Sequence, residues 1–203
     1  MIQQLNAIFR RLPAWPIYVA AVAWFAWLFW LGATFQTGPE PIRALEHSLG
    51  DIAIQTFIAV LAITPLRRYA GLNLLKFRRA LGLSVFFFVA MHLGVWLFLD
   101  VQIAGQIWAD IIKRPYITIG MAGFGALVPL ALSSNDWSVR RMGAASWRKL
   151  HRLTYAAAIL AAIHNVMVQK VWELESLVYL GLIAGLLALR LPRRRPVGQR
   201  SRA

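Results

Sequence analysis

Apolar residues come in long unbroken runs divided by short polar stretches. They show neither the stripe of a helix half in water nor the alternation of a half-buried strand. Six such runs stand out: Trp15–Phe35, Ile52–Leu66, Ala80–Leu99, Tyr116–Leu132, Leu150–Val168 and Leu174–Leu191. A helix needs about 20 apolar residues to cross the hydrocarbon core of a bilayer. The second run is short, which moves its start outward and places that span at residues 47–66; the others are placed at 15–35, 80–99, 116–132, 150–168 and 174–191. Hydrocarbon satisfies no backbone N–H or C=O, so a spanning chain must be helical or form a closed barrel, and barrel strands would alternate polar with apolar residues. The pattern predicts an all-α integral membrane bundle of about six transmembrane helices. Connections are brief, and residues 1–203 are expected to form a single domain.

Composition agrees: 59% of residues are hydrophobic and 15% charged, too little polar surface for a soluble domain of this size. A net charge of +14 would suggest nucleic acid in a soluble protein. Here the cations cluster between the apolar runs, where they orient the chain and meet anionic lipid, so no nucleic-acid partner is expected. If the N-terminus is cytoplasmic, 18 of the 22 Lys and Arg fall inside, and only Arg43, Lys113, Arg114 and Lys170 outside. Seven of the eight acids fall outside. Both termini are therefore expected on the cytoplasmic side. The Ala21-Val22-Ala23 triplet lies within the first run rather than after it, so that run reads as an uncleaved span and not as a signal peptide. Cysteine is absent, which excludes disulfides, thiolate-held clusters and thioether-linked haem.

Few groups inside the spans can do chemistry. His92, in Met91-His92-Leu93, and His164, in Ile163-His164-Asn165, each have apolar flanks, and both fall in the outer halves of spans running the same way. For one such histidine an interhelical hydrogen bond would be the better reading; a depth-matched pair on two helices points to function instead. Two imidazoles from different helices at matched depth can clamp one iron porphyrin, which makes b-type haem the expected cofactor; the alternative is a separate interhelical hydrogen bond at each ring.

His151 precedes His164 by 13 residues, roughly 20 Å along a continuous helix and about 140° around it. The axial distance suits a ligand of a second haem; the angle does not, unless the helix is irregular at its start. On the third span the matching position is Arg78, so one haem is expected and a second is left open. Arg78 and its neighbours could also neutralise haem propionates or a flavin phosphate. His47, beside Glu46 and Asp51 at the outer mouth of the second span, reads as a solvated or capping histidine, with quinone or proton handling as the alternative.

Several stretches together carry a resemblance. Thr64-Pro65-Leu66-Arg67-Arg68 closes the second span, and Arg78-Arg79-x-Leu81-Gly82 opens the third, which holds His92. Arg114-Pro115-Tyr116-Ile117-Thr118-x-Gly120 follows, and then Trp147-Arg148-x-Leu150-His151-Arg152-Leu153-x-Tyr155 leads to His164. With these in order, the chain resembles the MsrQ (YedZ) family from about Gly38 to Leu191. The resemblance implies a haem-binding subunit of a bacterial methionine sulfoxide reductase system, in the inner membrane, with a ferric-reductase-like transmembrane domain. It implies electron entry from a cytoplasmic flavin reductase, with FMN as a further cofactor, or from membrane quinol. Exit would be to the periplasmic molybdopterin enzyme MsrP, which repairs oxidised envelope proteins. His92 and His164 match the family's haem-ligand histidines and His151 a third associated with haem; Arg78 departs from the two histidines that the oxidase relatives carry on this span. The glycines at 120, 123 and 125 lie within an apolar span and form no nucleotide fingerprint. Such a chain is redox-active without being the catalytic subunit for methionine sulfoxide. The competing readings are a cytochrome b anchor for another periplasmic oxidoreductase and a transporter, the latter disfavoured by acids confined to the span ends.

Overall fold

The computed structural model describes residues 1–169 and 173–190, and over these the chain is helical from end to end. Helix α1 (Ile2–Arg11) precedes α2 (Trp15–Ala33), α3 (Pro41–Tyr69) and α4 (Arg78–Val95); α4 continues into a π-helical turn at Trp96–Val101. Then come α5 (Ala104–Lys113), α6 (Pro115–Leu132), α7 (Asp136–Met142), α8 (Ala144–Leu150), α9 (Leu153–Val168) and α10 (Leu174–Ala188). Four stretches are long and apolar enough to cross a membrane unaided: α2, α3, residues 75–101 and α6. Helices α9 and α10, of 16 and 15 residues, are shorter but pack within the same bundle.

Span limits shift in both directions. The second extends well beyond residues 47–66, because Pro41 starts α3 at its first turn, where a missing N–H costs nothing. The fifth starts later than residue 150, because the chain breaks at His151–Arg152 between α8 and α9. Residue 191, the arginines at 193–195, 200 and 202, Lys170 and the C-terminus lie outside the described residues.

Helix α3 packs along α4, α6 along α9, and α10 closes against α9 and α3, while α2 lies outside α3 and α4. The main core joins Phe57, Leu61, Val85, Leu127 and Ile183 with Ala157, Ala158 and Ala162 of α9. Those alanines let α9 approach its neighbours closely, which is how helices associate when lipid and side chains are equally apolar. A smaller cluster of Ala21, Leu45, Leu49, Ala53, Phe88 and Val95 attaches α2. Trp24, Trp27 and Trp30 of α2 are each about half exposed, on an all-round apolar helix that lipid, not water, must cover.

Four short helices join the spans, and the apolar runs did not signal them. Amphipathic α1 docks on the α3–α4 loop: Asn6 Nδ2 donates to Gly71 O at 2.9 Å, Asn73 N to Asn6 Oδ1 at 2.8 Å, and Lys76 Nζ to Arg10 O at 2.9 Å. Arg79 at the start of α4 pairs with Asp136 of α7 at 2.5 Å, and this partner holds the exposed Asp136 carboxyl below its usual range. The N-terminus and the arginine-rich loops thus share one end of the bundle. Amphipathic α5 lies at the other, where Thr118 Oγ1 donates to Ile111 O at 2.5 Å.

Candidate metal centre

His92 and His164 come from helices that do not follow one another, yet their ring centroids lie 6.3 Å apart with the planes at 81°. The approach is set by the two helix pairs. His92 on α4 faces α3, and its Nδ1 lies 2.9 Å from Glu46 O; His164 on α9 faces α6, with Nδ1 2.8 Å from Tyr116 O. A carbonyl oxygen can only accept, so each Nδ1 carries the proton and donates, leaving the lone pair on Nε2. Backbone anchoring of one ring nitrogen is the usual second-shell arrangement of a metal-binding histidine. An iron held between two imidazole nitrogens at about 2 Å each sets the ring centroids about 6 Å apart. The side chains present therefore fit a six-coordinate haem iron.

His151 is placed differently. It sits at the α8–α9 break, stacked on Trp147 with centroids 3.8 Å apart. Ser133 Oγ lies 2.6 Å from Pro129 O and 3.0 Å from His151 Nε2, within hydrogen-bond reach of both. In His151 it is thus Nε2 that is hydrogen-bonded, whereas in His92 and His164 it is Nδ1. The break also removes the premise of a continuous helix behind the 140° mismatch. No group of three or more His, Cys, Asp or Glu among the described residues is arranged to hold a metal ion.

Arg78 is half-buried at the start of α4, near Arg190 and Tyr155, and its charge reaches His151. Arg190 lies 5.6 Å over the Tyr155 ring. The arginine-rich end of the bundle therefore holds two neighbouring guanidinium groups, Arg78 close to His151 and Arg190 close to Arg78, suited to an oxyanion. His47 is exposed and lines a polar cavity of about 180 Å³ with Asp51, Glu173, Glu175 and Tyr179. Behind its lining Gln55 Nε2 donates to Tyr179 Oη at 2.7 Å, and Tyr179 donates to Glu175. Sequence inspection singled out His47 and missed Gln55 and Tyr179, although Gln55 follows His47 and Asp51 at four-residue steps along α3.

Residues 48–162 match the model of the ferric reductase like transmembrane component family. Similar curated proteins include the protein-methionine-sulfoxide reductase heme-binding subunits MsrQ of Brucella ovis, Brucella canis and Brucella abortus. Each is 43% identical over 180 residues, covering 88% of this chain and 81% of the relative.

Proposed function

The chain belongs to the MsrQ family of ferric-reductase-like membrane subunits, and on that footing we propose that it carries electrons across the bacterial inner membrane through b-type haem held by His92 and His164. The observation that supports this reading best is the pair of imidazoles 6.3 Å apart, each with Nδ1 on a backbone carbonyl and Nε2 left free to ligate. When bound, haem supplies one-electron chemistry at its iron; the chain supplies axial ligation, position and a low-dielectric surround that set the potential. Glu46 and Tyr116 carbonyls make the two imidazoles more basic ligands.

Both termini are cytoplasmic in this reading, and the arginine-rich end faces the donor, a flavin reductase or membrane quinol. Arg78, with Arg190 and His151, would meet an anionic group there: the phosphate of an FMN or a carboxylate of the haem. The acceptor is the periplasmic molybdopterin enzyme MsrP, where methionine sulfoxide takes two electrons and two protons to give methionine and water. Because a haem would carry one electron at a time, two transfers would serve each turnover. Only the partner reacts with the sulfoxide.

Stopped-flow mixing of the pre-reduced protein with oxidised MsrP tests the reading. The haem absorption is expected to return to its oxidised form as MsrP is reduced; absence of reoxidation overturns the partner assignment.

A further inference from the structure

Each imidazole reaches a carbonyl inside a regular helix, where the oxygen of residue i already accepts the N–H of residue i+4. The side chain of residue i+4 starts beside that same oxygen, which is why a Ser or Thr there bonds back to it. A second donor from a neighbouring helix therefore needs that Cβ out of the way. Glycine occupies the i+4 position in both cases: Gly50 after Glu46 and Gly120 after Tyr116.

The two positions differ in tightness. A methyl group at 120 would lie 2.9 Å from Nδ1 and Cε1 of His164, closer than carbon atoms approach in proteins. At 50 it would lie 3.6 Å from the same atoms of His92, an ordinary contact. Gly120 has no positive φ to accommodate, and glycine weakens a helix interior relative to alanine. Backbone conformation gives no reason for it; the space beside His164 does. Gly125, on the same helix, has nothing within 4 Å of its would-be Cβ.

We infer that Gly120 is a positioning residue for the haem ligand His164: its missing Cβ admits Nδ1–H to the Tyr116 carbonyl, which fixes the ring, leaves Nε2 free to ligate and raises the basicity of the ring. The inference rests on the haem reading of the histidine pair. Pushing the ring off the carbonyl weakens electron donation to the iron, which favours the reduced state.

Gly120→Ala, Gly50→Ala and Gly125→Ala, purified with haem, are compared by electron paramagnetic resonance and redox titration. For Gly120→Ala the low-spin g values are expected to change and the reduction equilibrium to shift toward the reduced form by on the order of tenfold, about 59 mV for one electron. Gly125→Ala is expected to match the unsubstituted protein, and Gly50→Ala to deviate less than Gly120→Ala. A Gly120→Ala protein with unchanged g values and potential overturns the inference. If His164→Ala also leaves the spectrum unchanged, the haem reading has failed instead. Should Gly120→Ala not fold, adding His164→Gly removes the ring that the methyl presses on. Recovery of folded protein then supports the steric account, and no recovery overturns it.

Discussion

Arg190, just beyond α10, donates through Nη2 to the carbonyl oxygen of Leu61 in α3, the acceptor that Pro65 has no N–H to serve. A buried proline thus sits near the end of the longest span, and a guanidinium from beyond α10 supplies the missing donor. Replacing Arg190 with Met leaves that carbonyl unpaired away from water, at a cost of about 1–3 kcal/mol. Thermal unfolding in detergent should show the loss. Restoring the N–H with Pro65→Ala should recover most of it, so the two substitutions are expected to be strongly non-additive. Additive effects would mean that Arg190 stabilises the fold through other contacts.

Orientation can be read with thiol chemistry because the chain has no cysteine. Gln106→Cys in α5 and Arg140→Cys in α7 are both exposed positions at opposite ends of the bundle. In intact spheroplasts a membrane-impermeant maleimide should label Gln106→Cys alone. Labelling of Arg140→Cys under those conditions would invert the assigned topology.

His151 tests whether the arginine-rich end holds a second haem. With its Nε2 hydrogen-bonded to Ser133 and its ring on Trp147, it is expected to contribute packing and one hydrogen bond, about 1 kcal/mol. His151→Ala should keep a haem-to-chain ratio of one and the wild-type low-spin signal, with a lower melting temperature. A ratio that falls from two to one would assign His151 to a second iron.

In the proposed orientation the outer segments carry seven acids and four bases, an imbalance that would steer a partner with a basic face around its acceptor site. Steering is screened beyond about 8–10 Å at physiological salt. Reoxidation by MsrP should therefore slow as ionic strength rises from about 0.01 to 0.15 M. A rate indifferent to salt would show that docking does not depend on these charges.

The six apolar runs carried the bundle, since an unbroken apolar run satisfies its backbone in lipid only as helix, and depth alone paired His92 with His164. What the runs could not carry is whatever depends on the approach of one helix to another. Helix α1 is too short and too striped to resemble a span, and its dock on Asn73 is a contact 67 residues away in sequence. The Arg190–Leu61 bond spans 129 residues. Gly120 was visible only as part of a motif, because the ring it accommodates arrives from α9. His151 could be counted along an unbroken helix only until the break at His151–Arg152 was seen. Its angular mismatch was the one hint of irregularity that the sequence held.

The central claim is that one iron is held between His92 and His164. Optical and electron paramagnetic resonance spectra of protein purified after haem-sufficient expression test it most directly, taken for the unsubstituted chain, His92→Ala and His164→Ala. The account predicts a six-coordinate low-spin haem in the first and its loss in both variants, because one imidazole cannot complete the axial pair. A full complement of low-spin haem in either variant would contradict it.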